Sequence, residues 1–202
     1  LRHDNRIYIV NISSDGRFLT TEQEAVLKIN EIETGLEVAH LQRNSGKPSD
    51  IDISPDGQYL GINNYKGSAS GLVSSSSLKE VLQYPSMQSC GDSAFSPDGR
   101  WFVMANLFQD FVQVFDTVSG AEAWRITSDS PESHPRPCSP KFSPDGQSLA
   151  LRMFGKMHLY DVATQKDKPR LKHRYSCAYG NGSQTAHEPG FSPDGRTLAL
   201  GG

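Results

Sequence analysis

A tetrapeptide, Ser-Pro-Asp-Gly, recurs along this chain at nearly even intervals, and it limits the possible folds more than any other feature. It begins at Ser54, Ser96, Ser143 and Ser192, and a worn copy, Ser-Ser-Asp-Gly, begins at Ser13. The glycines Gly16, Gly57, Gly99, Gly146 and Gly195 are spaced by 41, 42, 47 and 49 residues. A period near about 40 to 45 residues marks a propeller blade or a helical repeat. Local pattern separates the two. Around the third copy, Phe102, Val103 and Met104, then Phe111, Val112, Val114 and Phe115, form short β-branched and aromatic runs broken by turn residues. Apolar residues nowhere hold a helical rhythm over three turns, so the expected elements are strands.

Each repeat divides into four strands. One leads into the Ser-Pro-Asp-Gly turn and a second leaves it ("WFVMAN" in the third repeat); a third ("FVQVFD") and a fourth ("AEAWRI") follow. The first repeat reads "RIYIVNI", "RFLTT", "AVLKINEI" and "LEVAHL"; the fourth reads "SPKF", "SLALRMF", "MHLYDV" and "KPRLKH". In the second, the third strand is drawn from "SGLVSSSS". A lone four-stranded sheet cannot bury both faces, whereas sheets stacked radially can, which gives a β-propeller. The expected fold is all-β: four complete four-stranded antiparallel blades, approximately 5–43, 48–86, 91–128 and 138–173, and the first two strands of a fifth, 188–202. Propellers have about 4 to 8 blades, and an uncovered second strand would leave a bare apolar edge. The reading is therefore a piece of a larger propeller, completed by the same full-length chain or by another.

These residues resemble the WD-repeat family of β-propellers, in the form whose first turn is Ser-Pro-Asp-Gly. Where the family's third strand ends in Trp-Asp, this chain has Phe115-Asp116, Tyr160-Asp161 and Asn30-Glu31, followed by Thr34-Gly35 and Ser119-Gly120. His3 and His134 fall where the family carries a loop histidine, and Asp110 and Glu24 near its loop aspartate. The family's third-strand tryptophan is absent here. The resemblance implies an interaction platform that presents blade-joining loops to a protein or peptide partner, without catalysis and without a cofactor.

Proline sets φ for the first corner of a type I turn, aspartate suits the second, and glycine takes the left-handed position that follows. That is a complete backbone reason for the motif, so its carboxylates are expected to be structural. The overlong joints 127–140 and 173–189 account for the longer spacings, and insertions on one face of a repeat protein often form its binding surface. His134, Arg136, Tyr175, Tyr179 and His187 are the candidate partner-binding residues there, because Tyr and Arg are enriched at interface anchors. A rarer reading makes His134, Cys138, His173 and Cys177 a tetrahedral zinc site, although the spacing is not the usual one for structural zinc. The expectation is that no metal is bound.

A net charge of −3 points to neither nucleic acid nor an anionic membrane. Within "KDKPRLKHR" the bases Lys166, Lys168, Arg170, Lys172 and Arg174 alternate, as on an outermost strand that blocks edge pairing. No run approaches the ~20 apolar residues of a membrane helix. Three cysteines make no disulfide framework, which leans the reading towards the cytoplasm. Asn11 and Asn181 match the glycosylation pattern, but Asn11 falls in an expected innermost strand. The opposing reading is a propeller belonging to an enzyme, with polar residues of the first strands, Asp50 and Asp52 foremost, converging on the axis.

Overall fold

In a computed structural model of the chain, the described residues are 9–13, 16–23, 26–42, 48–64, 70–75, 80–84, 93–105, 111–127, 138–153, 156–168 and 189–199. Among them there is no helix. Sheet 1 comprises β1 (Ile9–Ile12), β2 (Phe18–Gln23), β3 (Val26–Glu31) and β4 (Glu37–Gln42). Sheet 2 comprises β5 (Pro48–Ile53), β6 (Tyr59–Asn64), β7 (Ser70–Ser74) and β8 (Glu80–Tyr84). Sheet 3 comprises β9 (Ser93–Phe95), β10 (Trp101–Ala105), β11 (Phe111–Asp116) and β12 (Glu122–Thr127). Sheet 4 comprises β13 (Cys138–Phe142), β14 (Ser148–Met153), β15 (Lys156–Asp161) and β16 (Lys166–Asp167). Sheet 5 has β17 (Gly190–Phe191) and β18 (Leu198–Ala199). Within each sheet the strands lie in chain order and pair antiparallel.

The first strands β1, β5, β9, β13 and β17 adjoin one another in sequence, so each sheet stacks on the next through its innermost edge. Three apolar layers fill the spaces between sheets. Leu27 and Ile29 of sheet 1 meet Ile51, Ile53, Leu60, Ile62 and Val73 of sheet 2. Leu72 meets Phe102, Met104 and Phe115 between sheets 2 and 3. Val103, Val112, Val114 and Ile126 meet Leu149, Leu151, Met153 and Tyr160 between sheets 3 and 4. The strands alternate because successive side chains serve opposite faces: a front face turned to the preceding sheet and a back face turned to the following one. This repetition fits a propeller-like fold, and the row of sheets stays open among the described residues.

The turns themselves stack. In each, the glycine N–H donates to the serine C=O at 2.8 or 2.9 Å, and φ at the glycine lies between 68° and 75°. A Cβ placed on Gly99, Gly146 or Gly195 would lie 3.7 Å from Cδ of Pro55, Pro97 or Pro144. The proline of one turn thus rests against the glycine of the next, and the motif joins sheets as well as strands. In the worn first copy a serine replaces proline, and the Phe18 ring takes over the space in front of Gly57.

In sheet 4 the described outermost strand is Lys166–Asp167, and of the expected "KPRLKH" all but Lys168 lies outside the described residues. The preceding turn closes when the Gln165 N–H donates to the Asp161 C=O at 2.8 Å, so Lys166 and Asp167 immediately pair with Asp161 and Tyr160. Gln165 stands where sheets 1 and 3 use Gly35 and Gly120, and it holds φ of 60°. A left-handed non-glycine residue costs about 1–2 kcal/mol, partly offset by the extra chain entropy that glycine loses on folding. Gln165→Gly is expected to stabilise the chain by about 0.5 kcal/mol, read as a higher urea midpoint at constant m. A lower midpoint would mean that the Gln165 side chain contributes more than its backbone costs.

Candidate functional site

The partner-binding residues expected from sequence, His134, Arg136, Tyr175, Tyr179 and His187, lie outside the described residues. So do His173 and Cys177; Cys138 alone of the zinc candidates is placed, at the start of β13. His3, Glu24, Asp110 and Asn181 also fall outside. Among the described residues no three His, Cys, Asp or Glu side chains come together as a metal site. The flanking strands do give polarity. Strands alternate in direction, so β12 and β16 end, and β13 and β17 begin, at the end of the sheets opposite the Ser-Pro-Asp-Gly turns.

At the turn end the carboxylates of the four full copies are engaged locally. In the four full copies the serine hydroxyl donates to its aspartate at 2.5 or 2.6 Å (Ser54–Asp56, Ser96–Asp98, Ser143–Asp145, Ser192–Asp194). The same aspartate oxygen accepts the N–H two residues on, from Gln58, Arg100, Gln147 and Arg196, at 3.0–3.1 Å. The serine oxygen in turn accepts the N–H that opens the second strand, at 2.8–2.9 Å. The hydroxyl donates to aspartate and cannot serve another acceptor.

The turns between third and fourth strands use the same chemistry. Asp116 accepts from the Ser119 N–H and hydroxyl, both at 2.9 Å, and Asp161 accepts from the Thr164 N–H at 2.8 Å and its hydroxyl at 2.9 Å. These bonds favour the ionised carboxylates. The Thr164 N–H first, then its hydroxyl and Lys168, hold Asp161 down to about 2, and Ser119 lowers Asp116 in the same way. The Ser143 hydroxyl, then the Gln147 N–H, lower Asp145, and the Ser192 hydroxyl, then the Arg196 N–H, lower Asp194. Folded-state values below unfolded ones contribute stability that is present above the unfolded pKa, 3.8 for Asp161, and is lost as pH falls through the folded value. The thermal midpoint is therefore expected to be flat above about pH 5 and to fall steadily towards about pH 2, with Asp161→Asn flattening part of the descent. A midpoint that rises on acidification would show that these turns do not stabilise the fold.

The first strands bring together a set of side chains of another kind. Asn11 of β1 donates through Nδ2 to the Ile51 C=O at 2.6 Å and to Asp52 Oδ1 at 3.4 Å. The Ser93 hydroxyl of β9 donates to the other oxygen, Asp52 Oδ2, at 2.9 Å. One carboxylate thus bridges three consecutive innermost strands. Lys141 of β13 occupies the register of Asn11 and Asp52, each five residues before its turn glycine. Of this row only Asp52 was named from sequence as a polar residue facing the axis. The period points to Asn11, which precedes Asp52 by 41 residues as Gly16 precedes Gly57, but not to Ser93, which stands six residues before Gly99 and so one out of that register. Asn11, held in these bonds, is an innermost structural residue, in keeping with an accidental match to the glycosylation pattern. Asp52→Ala would strand two donors and is expected to cost about 1–3 kcal/mol in urea unfolding; a change within error would mean the bridge is replaced by water.

A further recurrent pairing was not read from sequence. An acid near the start of the fourth strand accepts from the third-strand residue diagonal to it, two positions before its register partner: Lys28 to Glu37 at 3.0 Å, Gln113 to Glu122, and His158 to Asp167 at 3.0 Å. Arg125 adds two bonds of 2.8 Å to Glu122 and lies 4.1 Å over the Phe111 ring. These pairs cross-link the outer strands in sheets that lack a third-strand tryptophan. The two tryptophans, Trp101 and Trp124, instead stack on each other beside the layer between sheets 3 and 4, with centroids 6.3 Å apart.

No family model matches the chain, and no curated protein matches it in sequence. Many solved structures share its fold. Among them is the hydrazine synthase of Kuenenia stuttgartiensis, at a TM-score of 0.67 and 18% identity over 94% of this chain. The match takes in 53% of that chain, so this chain spans about half the length of the solved one. At that identity the likeness is one of fold.

Proposed function

We propose that the sheets are blades of a WD-repeat-like β-propeller, and that the chain is a non-catalytic interaction module whose blade-joining segments bind a protein or peptide partner. The observation that carries this reading is the unequal use of the two ends of the sheets. The turn end is spent on its own hydrogen bonds, and its prolines and glycines stack into a rigid rim. The opposite end carries the longer connections, 128–137 and 168–189, and the strands flanking the first of them, β12 and β13, are held by the layer between sheets 3 and 4 through Ile126 and Phe142. Rigid strands carrying variable connections make a binding surface that loses little entropy on association.

The test compares the chain with a variant in which His134, Arg136, Tyr175, Tyr179 and His187 are all alanine. Both are used as bait in extract of the source cells, after their thermal midpoints have been shown to agree. A partner held at stoichiometric yield by the native chain and lost by the variant supports the reading. Equal capture by both, or none by either, overturns the assignment of the surface.

A second reading has one observation in its favour. Asn11, Asp52 and Ser93 form a polar row on the innermost strands, where a small molecule in an axial channel would meet them. Calorimetric binding of a small metabolite that Asp52→Asn abolishes, with the alanine variant unaffected, would favour this reading over the first.

A further inference from the structure

We infer that the Asp–Gly bonds of the Ser-Pro-Asp-Gly turns are latent sites of isoaspartate formation, held as aspartate by the hydrogen bonds of the turn itself. This holds whether or not the chain binds a partner.

Every Asp–Gly bond of the chain lies in a copy of the motif: Asp15–Gly16, Asp56–Gly57, Asp98–Gly99, Asp145–Gly146 and Asp194–Gly195. Asp15 is outside the described residues. Such a bond is chemically weak, because the glycine N has no Cβ beside it to hinder its attack on Cγ of the aspartate. In that attack the N–H proton is lost, a Cγ–N bond forms and a Cγ–O bond breaks. The oxygen leaves as water, and a succinimide ring closes. Water then adds to either ring carbonyl. Addition at Cγ restores aspartate. Addition at the main-chain carbonyl breaks its bond to nitrogen, and the chain then runs through the side chain as isoaspartate. Nothing is oxidised or reduced, and the water lost at closure is regained on opening.

Burial does not protect these bonds, since Asp56, Asp98, Asp145 and Asp194 are all exposed. Hydrogen bonds hold both reacting groups instead. The N–H of Gly57, Gly99, Gly146 and Gly195 donates to the serine C=O at 2.8 or 2.9 Å, so the proton that must leave is engaged. Oδ1 of each aspartate is gripped from two sides, by the serine hydroxyl and by the N–H that follows the glycine. The Ser143 hydroxyl first, then the Gln147 N–H, keep Asp145 below the usual carboxylate range. An ionised carboxylate is a poor partner for the attack, because its oxygen needs a proton to leave as water. Pro97 Cδ also lies 3.7 Å from the place of a Cβ on Gly146, so the preceding turn braces the peptide that ring closure would rotate.

Isoaspartate adds a methylene to the main chain and moves the carboxylate away from the serine hydroxyl. The second strand then loses its fixed start, and the proline of that turn is drawn off the glycine of the next. Modification is thus coupled to opening of the turn, and an opened turn is marked covalently.

The native chain, Ser96→Ala and Ser143→Ala are incubated at neutral pH beside native chain unfolded in guanidinium chloride. Isoaspartate at Asp98 and at Asp145 is followed by peptide mapping and mass spectrometry. The folded native chain is expected to isomerise far more slowly than the unfolded chain at both positions. Ser143→Ala is expected to speed Asp145 by about tenfold or more, the effect of losing a hydrogen bond to a charged group, while Asp98 stays slow. Ser96→Ala is expected to do the reverse, so that each variant carries its control in the other turn. A folded native chain that isomerises as fast as the unfolded one overturns the inference. So does a serine variant that leaves its own turn slow. Both positions speeding up together in each variant overturns it too, because protection would then belong to the whole fold and not to the turn.

Discussion

Phe102→Ala is expected to lower the stability of the chain by about 3–5 kcal/mol, the range for removing a fully buried aromatic side chain. Phe102 is wholly buried between sheets 2 and 3, where it meets Leu72, Met104 and Phe115, and its ring lies 4.7 Å from that of Phe95. The opposite wall is Gly61, which has no side chain to move into the space, so the site cannot collapse and the cavity term is kept. Urea unfolding should show the loss as a lower midpoint at constant m. A loss below about 1 kcal/mol would mean that sheets 2 and 3 are not packed as described.

Gly61→Ala is the complementary experiment, and its sign runs against intrinsic preference. Gly61 sits inside β6, where alanine normally gains about 0.5–1 kcal/mol over glycine. A Cβ there would come within 2.3 Å of Phe102 Cε2 and 2.6 Å of Cζ. The ring is enclosed on every side and cannot swing away, so overpacking is expected to destabilise by about 1–3 kcal/mol, and more for valine. Trimming the ring should relieve the clash. Gly61→Ala combined with Phe102→Leu is expected to cost less than the two separate losses added together. Simple additivity would show that the two residues do not touch.

Much of the fold was legible in one dimension. The turn glycines needed their left-handed φ, the serine and aspartate had neighbouring N–H groups to satisfy, and strands had to leave the turn on both sides; all of this is local. Phe111–Asp116 was bounded correctly because its turn partner, Ser119, lies three residues on. The pairing of Lys166 and Asp167 with β15 was not legible, because Gln165 does a glycine's work and a positive φ at glutamine leaves no compositional mark.

The side chains that bridge sheets were hidden for a different reason. Asn11, Asp52 and Ser93 are ordinary polar residues in ordinary strands, and only the stacking of β1, β5 and β9 brings them to one carboxylate. Gly61 reads as a weak point in a strand until the Phe102 ring is seen against it. The sequence by itself determined the repeat, the strand order within each sheet and the structural duty of the turns, because those depend on backbone needs within a few residues. Tertiary structure alone decided which faces meet and which polar groups cross between sheets, because those contacts join residues about one repeat apart.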